Sequence, residues 1–284
     1  LNSAPAAAGT NFDNRVMTNI GSLKNTGVEA SVSWKAIQSN DWYWTIDYNI
    51  TYNNNTITAL TGANTKPIES GNGLHAGTGK KIQAFAVGHP SSAFWAYQQA
   101  YDKDGNAIEG VVVDRNGDGS ITDDDRYFYK QGAAPVTMGL ASRLEYKNWD
   151  LGFSLRANIG NYVYNDVLAS RSNMSQLWAP SSFLEQRPKA AVKLNWQSSE
   201  WMQSDYFIRN ASFLKMDNIT LGYSFANLFK SGNGRGLSGR LYGTVSNVFT
   251  VTKYEGLDPE VFSGIDYELY PRPISFIFGL NLNF

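Results

Sequence analysis

The sequence predicts an all-β protein: a segment of a transmembrane antiparallel β-barrel with long loops on one side. Two features carry this prediction, the alternation of apolar and polar side chains in strand-length segments and the alternation of short and long connections between them. The side-chain pattern is clearest in the C-terminal segment ISFIFGLNLNF. There Ile274, Phe276, Phe278, Leu280, Leu282 and Phe284 share one face, and Ser275, Gly279, Asn281 and Asn283 share the other. One face therefore suits hydrocarbon and the other suits water.

Seven segments follow this pattern, and we predict that each is a strand. Their ranges are 26–36, 42–53, 136–146, 150–159, 214–225, 239–250 and 274–284. The charged side chains of these segments fall on the polar face: Glu29, Lys35, Asp47, Arg143, Glu145, Asp150, Arg156 and Arg240. Segments of about ten to twelve residues also match the roughly 9 to 11 residues that cross a bilayer at a tilt.

The connections distinguish a barrel from a soluble β-sandwich, whose inner face would also exclude charges. Short turns alternate strictly with long connections at 54–135, 160–213 and 251–273, so all long loops emerge on one side. Bacterial outer-membrane barrels have this pattern of short periplasmic turns and long extracellular loops. We expect residues 1–25 to be a loop or the end of a preceding strand, and residues 26–284 to be the C-terminal portion of a barrel.

An odd number of strands predicts that the sequence is a piece of a larger barrel. Bacterial single-chain barrels have an even number of strands, and an unpaired edge is not tolerated in lipid. We therefore expect the strand at 26–36 to pair with the remaining N-terminal part of the same barrel. The N-terminus, LNSAPAAAGT, lacks the basic and apolar regions of a signal peptide, so we expect a targeting signal upstream.

The composition of the 284 residues excludes several classes of site. The formal net charge is −1, which provides no field for binding nucleic acid. There is no Cys, so disulfides and thiolate metal sites are excluded. Aromatic residues make up 14%, which is usual where rings form interfacial girdles or line sugar and peptide sites. No apolar run approaches the roughly 18 residues of a transmembrane helix.

A calcium-binding loop is predicted at 114–125, with the sequence DRNGDGSITDDD. Oxygen-bearing side chains stand at the first, third and fifth positions, a glycine stands at the turn, and an acidic residue closes the loop. The predicted ligands are Asp114, Asn116, Asp118, the Ser120 carbonyl, Thr122 and Asp125. Asp rather than Glu at the closing position is similar to dockerin loops, and no helical pattern flanks the segment. We expect one structural Ca²⁺, the alternative being a solvated acidic turn.

Other polar residues do not form a catalytic pattern. His75 and His89, the two histidines, lie in the 54–135 connection rather than on predicted strands. Asp258 and Glu260 flank a proline, so GLDPEV is interpreted as a rigid loop corner rather than a carboxylate pair. The segment DYFIRN at 205–210 is interpreted as a junction between loop and strand. We therefore expect that the protein is not an enzyme.

Aromatic residues in the long connections have two interpretations. They could stack on sugars or hold peptide side chains, or they could pack the loops together and contact a partner protein. These residues are Phe94, Trp95, Tyr97, Tyr127, Phe128, Tyr129, Trp178, Trp196 and Trp201. The sequence does not distinguish these roles.

Several segments together resemble one protein family. They are NIGSLKNTGVEASVSW at 19–34, FLKMDNITLGYSF at 213–225, NVFTVTKYEGLDPEV at 247–261 and YPRPISFIFGLNLNF at 270–284. With the D-x-N-G-D-G loop, these elements resemble, in order, the C-terminal part of a SusC/RagA-type TonB-dependent transporter of Bacteroidetes.

The resemblance implies a multi-pass barrel of 22 strands in the bacterial outer membrane, surrounded by lipid and filled by an N-terminal plug. It implies a SusD-like surface lipoprotein as partner, and contact with the TonB complex through an N-terminal region outside this sequence. Uptake of oligosaccharides or peptides would then be driven by the proton-motive force. The alternatives are a soluble calcium-stabilised carbohydrate-binding β-module and a passive porin fragment.

Overall fold

The computed structural model describes residues 2–5, 9, 15–19, 21–60, 66–75, 79–174, 177, 184, 186–197, 202–228, 236–267 and 269–283. The strands, in chain order, are β1 (Asn2–Pro5), β2 (Arg15–Thr18), β3 (Gly21–Gln38), β4 (Trp42–Leu60), β5 (Ile68–Ser70), β6 (Gln83–Phe85), β7 (Ala93–Ala96), β8 (Gln99–Tyr101), β9 (Ala107–Val112), β10 (Tyr127–Gln131), β11 (Val136–Tyr146), β12 (Trp149–Ile159), β13 (Tyr162–Asn165), β14 (Ile208–Asn210), β15 (Phe213–Leu228), β16 (Leu237–Thr252), β17 (Ile265–Asp266) and β18 (Ser275–Asn283). The helices are α1 (Asp166–Arg171), α2 (Lys189–Leu194) and 3₁₀ turns at Asp123–Asp125 and Asp205–Phe207. Among the residues described, no helix is long and apolar enough to cross a membrane.

Seven strands form one antiparallel sheet in the order β18-β16-β15-β12-β11-β4-β3, which we call the wall. Neighbours in the wall follow one another along the chain, so the sheet is an up-and-down meander. Short connections join the strands on one side, the turn side, at 39–41, 147–148 and 229–236. The connections on the other side, the loop side, span 61–135, 160–212 and 253–274. The predicted all-β barrel segment, with seven strands and long loops on one side, is confirmed.

The register of the wall places apolar side chains on one continuous face. One row crosses all seven strands through Ile37, Trp44, Leu144, Leu151, Leu221, Gly243 and Phe278. Large side chains on this face are open to the outside, with Val28 71% and Phe278 83% exposed. A soluble protein buries such a face, whereas hydrocarbon covers it in a membrane barrel. The predicted apolar face is therefore confirmed in every wall strand, although Phe284 lies outside the described residues.

An aromatic row borders the apolar face on the turn side. The register aligns Trp42, Tyr146, Trp149 and Tyr223 on four neighbouring strands. Their rings pack in pairs, with centroid separations of 4.2 Å for Trp42 and Tyr146 and 4.8 Å for Trp149 and Tyr223. Such a row matches the aromatic girdle that marks the lipid–water interface in membrane barrels.

Two predicted boundaries in the first hairpin are wrong. β3 begins at Gly21 rather than at 26, and β4 ends at Leu60 rather than at 53, so the first long connection is 61–135. The apolar pattern stops near Tyr52, but backbone pairing continues until Gly21 meets Leu60. The extension is polar, and Asn55 donates a side-chain hydrogen bond of 2.6 Å to Asn25. The alternation of apolar and polar side chains therefore marked the part of β3 and β4 that carries the apolar face, and not the ends of these strands.

The predicted boundaries at 42, 136, 146 and 159 are confirmed. The remaining ones differ by one to three residues, so the second and third connections span 160–212 and 253–274 rather than 160–213 and 251–273. At the N-terminus, β1 and β2 pair with each other in antiparallel. Within 1–25, the structure thus contains a strand pair and the first residues of β3 instead of only a loop or a strand end.

The buried core lies in the long connections rather than in the wall. Leu74, Ile82 and Phe94 of the first connection pack with Tyr164, Leu168, Trp196 and Phe207 of the second and Ile265 of the third. Two small sheets support this packing, β10-β7-β6-β5 and β14-β13-β17. In the second sheet, β17 of the third connection pairs in parallel with β13 of the second. The connections therefore form one folded unit, which we call the loop layer.

Candidate functional site

The polar face of the wall carries paired charges. Near the turn side, Arg240 forms two hydrogen bonds of 2.8 and 2.5 Å with Asp150, two strands away. The pair passes over Gly222, where an added Cβ would lie only 2.5 Å from both partners, so any larger residue there would displace the ion pair. Ser33 donates a 2.6 Å hydrogen bond to Asp47 on the neighbouring strand. The predicted polar face is thus confirmed as a hydrogen-bonded surface.

A β-bulge assembles a second group of charges near the loop side. The register of β15 against β12 shifts between Ser154, which faces Asn218, and Leu155, which faces Met216, and this leaves Asp217 as an extra residue. The bulge turns the Asp217 carboxylate toward the polar face, where it accepts hydrogen bonds of 2.7 and 3.0 Å from Arg156 Nε. Lys215, two residues earlier, is 6% exposed and lies on the same face.

The third connection folds back onto these charges. Lys215 Nζ lies 2.7 Å from Asp258 Oδ1 and 3.1 Å from Glu260 Oε2. Glu260 also accepts hydrogen bonds from both terminal nitrogens of Arg156. Arg272 binds Asp258 at 3.1 Å and Glu260 at 2.9 Å. We call these residues the charge cluster: Arg156, Lys215, Asp217, Asp258, Glu260 and Arg272.

The charge cluster is balanced, with three cations and three carboxylates. Burial alone would raise the pKa of Glu260, but hydrogen bonds from Arg156 and Lys215 outweigh it and lower that pKa to about 2. Both carboxylates of GLDPEV are therefore engaged in ion pairs that attach a loop to the wall. This arrangement supports the interpretation of the segment as a fixed loop corner.

A junction of the three connections forms around His75. Asp166, fully buried at the start of α1, accepts a 3.0 Å hydrogen bond from the backbone N–H of His75 and lies 3.1 Å from its Nδ1. Tyr267 donates a 2.9 Å hydrogen bond to the Gly73 carbonyl, and its ring packs edge-on against His75 at 5.1 Å. His75 therefore joins the first connection to the second and third.

A cavity of about 960 Å³ lies beside this junction, between α1, α2 and the third connection. Its walls include Leu168, Arg171, Lys189, Leu257, Asp266 and Tyr267. The buried Asp266 carboxylate accepts a 2.6 Å hydrogen bond from the Tyr254 hydroxyl through Oδ2, whereas its Oδ1 has no hydrogen-bond partner among the described residues. Burial raises the pKa of Asp266. No pattern in the sequence predicts this cavity.

The structure separates the aromatic candidates by burial. Phe94, Trp95, Tyr97 and Trp196 are at most 7% exposed, so they pack the loop layer and do not present a surface to a ligand. Tyr127, Phe128 and Tyr129 are partly exposed, and Phe128 stacks on His89 at 3.9 Å. Trp178 and Trp201 lie outside the described residues. The Tyr127 hydroxyl donates a 2.5 Å hydrogen bond to Asp205, which ties the segment 205–210 to the first connection.

The predicted metal loop folds into a compact turn closed by its own hydrogen bonds. Asp114 accepts from the backbone N–H of Gly117 at 2.7 Å and of Gly119 at 2.8 Å. The Asp125 carboxylate is buried and accepts from the N–H groups of Arg115 and Thr122, each at 2.8 Å. These backbone hydrogen bonds, first of all the one from Thr122, lower the pKa of Asp125. Gly119 has φ +83°, which explains the glycine at this turn.

The donor set of this turn suits a hard cation, because it consists of carboxylate, amide and hydroxyl oxygens. Asn116 and Asp118 lie next to each other, with Asn116 Nδ2 donating to Asp118 Oδ2 at 2.9 Å. Across the described residues, however, no three His, Asp or Glu side chains converge to hold a metal ion. Oxygens that accept one N–H retain a further lone pair for a cation. Calcium binding through Asp114, Asn116, Asp118, Ser120, Thr122 and Asp125 stays a prediction.

The fold and these sites define a segment of a transmembrane β-barrel wall that carries a charged polar face and a folded layer of loops. No protein-family model matches the chain. The TonB-dependent receptor SusC of Bacteroides thetaiotaomicron is 48% identical over 287 residues, which cover 100% of this chain and 29% of SusC. The TonB-dependent receptor P3 of Formosa agariphila is 26% identical over 94% of the chain and 29% of P3.

The fold is shared with solved structures of RagAB. The closed-closed state of the RagAB peptide importer has a TM-score of 0.70 at 24% identity, covering 95% of this chain and 30% of that chain. A structure of the RagAB peptide transporter has a TM-score of 0.70 at 23% identity. The chain therefore corresponds to the C-terminal part of a TonB-dependent receptor of the SusC/RagA family. It spans about three tenths of the length of these relatives.

Proposed function

We propose that this chain forms the C-terminal part of the barrel of a TonB-dependent transporter in the bacterial outer membrane. The observation that carries the proposal is the similarity of the whole chain to SusC, combined with an apolar face that crosses all seven wall strands. The complete transporter imports oligosaccharides or peptides, receives them from a SusD-like lipoprotein, and is energised through TonB by the proton-motive force.

The two faces of the wall support this role. Lipid contacts the apolar face, while substrate and water pass along the polar face, where charges are held by neighbouring strands. The loop layer lies outside the cell, where it contacts the lipoprotein, and the cavity beside Asp266 is a candidate contact for substrate. Transport rather than catalysis is supported by the relatives, which are TonB-dependent receptors, and by RagAB, which is described as a peptide importer.

Uptake by cells tests the proposed function. Cells producing the full-length receptor and its neighbouring lipoprotein are given labelled oligosaccharides or peptides, with and without an intact TonB system. We expect uptake that disappears without TonB or after addition of a protonophore. Uptake that persists without TonB would indicate a passive porin instead, and a protein that purifies without detergent would indicate a soluble β-module.

We also propose that residues 114–125 bind one structural Ca²⁺. The proposal is supported by the spacing of the oxygen-bearing residues and by the turn at Gly119. The ion would hold the first connection in its folded form, with Asp125 closing the turn from its buried position.

A further inference from the structure

The charge cluster joins side chains of the wall to side chains of the third connection. Arg156, Lys215 and Asp217 belong to the wall, on strands β12 and β15, whereas Asp258, Glu260 and Arg272 belong to the third connection. Arg156 and Lys215 stand three residues or fewer from the loop-side ends of their strands. They therefore lie roughly 7–10 Å along the strand from the loop-side edge of the wall. The third connection must therefore bend inward over that face to reach them.

The segment between Tyr254 and Tyr267 is attached at both ends. At one end the charge cluster holds Asp258 and Glu260 against the wall. At the other end the loop layer holds the segment through β17, through the Tyr254–Asp266 hydrogen bond, and through a 3.0 Å hydrogen bond from Gln83 Nε2 to the Ser263 carbonyl. Movement of this segment relative to the wall therefore requires the charge cluster to open.

The burial of its central ion pair, between Lys215 and Asp258, makes the charge cluster a strong attachment in its closed form. The side chains of Lys215 and Asp258 are 8% and 14% exposed. Removing one partner of such a network leaves an opposite charge buried without compensation, which favours opening of the cluster. An exposed ion pair would contribute little, since water and salt screen it.

We propose that the charge cluster is a latch that holds the 253–267 segment over the polar face, with Arg156 and Lys215 as its positioning residues on the wall. The inference rests on the proposed function, because a segment at this place lies beside the route of the substrate. Closing the latch narrows the route near its loop side. Opening it allows the segment to move away from the wall.

Distance measurements in the full-length receptor test the latch without reference to transport. Spin labels are placed at Phe262→Cys, which is fully exposed, and at Ser31→Cys, an exposed position on the polar face of β3, in a background without other cysteines. We expect a single narrow distance distribution. Glu260→Gln should broaden it or shift it to longer distances, and so should Lys215→Met, which keeps the length of the stem but removes the charge.

Arg240→Gln is the matched control, because it breaks an ion pair on the same face that does not involve the third connection. It should leave the distance distribution narrow. Heat-modifiable migration in gels shows that each variant has assembled its barrel. An unchanged distribution in both Glu260→Gln and Lys215→Met would overturn the latch.

Uptake measured on the same variants separates the latch from the proposed function. We expect Glu260→Gln to change the rate of TonB-dependent uptake as it releases the segment. If Glu260→Gln releases the segment but leaves the uptake rate unchanged, the inference that the segment lies beside the substrate route is overturned. If the wild-type receptor shows no TonB-dependent uptake but the distances respond as expected, the proposed function fails and the attachment by the charge cluster stands.

Discussion

A new charge is expected to destabilise the barrel by different amounts on the two faces of β12. Leu155 lies opposite Leu140 and Met216 on the apolar face, whereas Ser154 accepts a 2.8 Å hydrogen bond from Asn218 on the polar face. We expect Leu155→Arg to destabilise the barrel by roughly 2–4 kcal/mol near the midplane, because the charge would face hydrocarbon. Ser154→Arg should be tolerated. Denaturant unfolding in detergent measures both variants, and equal losses would reject the assignment of faces.

Glu260 determines the pH range over which the charge cluster is closed. Its pKa in the folded protein is about 2, below the ordinary value of 4.5, so its stabilising contribution is complete above about pH 4.5 and is lost as the pH falls toward 2. The anisotropy of a fluorophore at Leu257→Cys should therefore be constant from neutral pH down to about 4.5 and decrease below it. Glu260→Gln should lower the anisotropy already at neutral pH. A transition centred near pH 7 would contradict this assignment.

The sequence was sufficient to assign side chains to faces but not to identify their partners. A period of two fixes the face, because successive side chains in a strand point to opposite sides. The bulge at Asp217 shifts this order by one residue, and no local pattern indicates it. The partners of Asp258 and Glu260 depend on a loop that folds back on the wall, so only the rigid corner at Pro259 could be predicted.

At the scale of elements, the first connection is stabilised around a buried cation. Arg126 donates to the carbonyls of Trp95 at 2.8 Å and Lys81 at 2.7 Å, and its guanidinium lies 3.7 Å from the centre of the Trp95 ring. An ion pair of 3.0 Å with Glu69 balances its charge. Trp95 lies on β7, Glu69 lies on β5, and Lys81 lies just before β6. The segment therefore has a folded core, although its sequence predicts only a long loop.

The predicted metal loop can be tested within this element. We expect Asp118→Ala to increase cleavage of the 61–135 connection by a protease while the wall remains folded, because a ligand of the proposed cation is lost. A chelator should have the same effect on the wild-type protein and no further effect on the variant. Asp104→Ala, an exposed acidic position outside the loop, is the control. Equal cleavage with and without chelator would argue against a bound cation.

The loop layer shows why secondary structure in the long connections was not predicted. Its core takes residues from three connections that are far apart in the sequence, such as Phe94, Tyr164 and Ile265. Each contributes short strands or single helical turns, which are too brief to show a period. The wall strands, in contrast, repeat their pattern over ten or more residues and are each other's neighbours in sequence.

At the scale of the molecule, the seven-stranded wall and the loop layer match about three tenths of the length of SusC and of the RagAB chain. In the described residues, β3 and β18 are each paired with a wall strand on one side only. These two edges support the proposal that further strands of the same receptor complete the barrel. The apolar face then becomes a closed band around it, and the polar face lines its interior.

Accessibility along one central strand tests the transmembrane wall most directly. Single cysteines at 150–158 of β12 are spin-labelled in the full-length receptor in lipid vesicles, and collisions with oxygen and with a water-soluble nickel complex are measured. We predict that Leu151, Phe153 and Leu155 favour oxygen while Asp150, Gly152 and Ser154 favour nickel, with a period of two. Equal access of both reagents to all positions, or nickel access on both faces, would contradict a wall strand in contact with lipid.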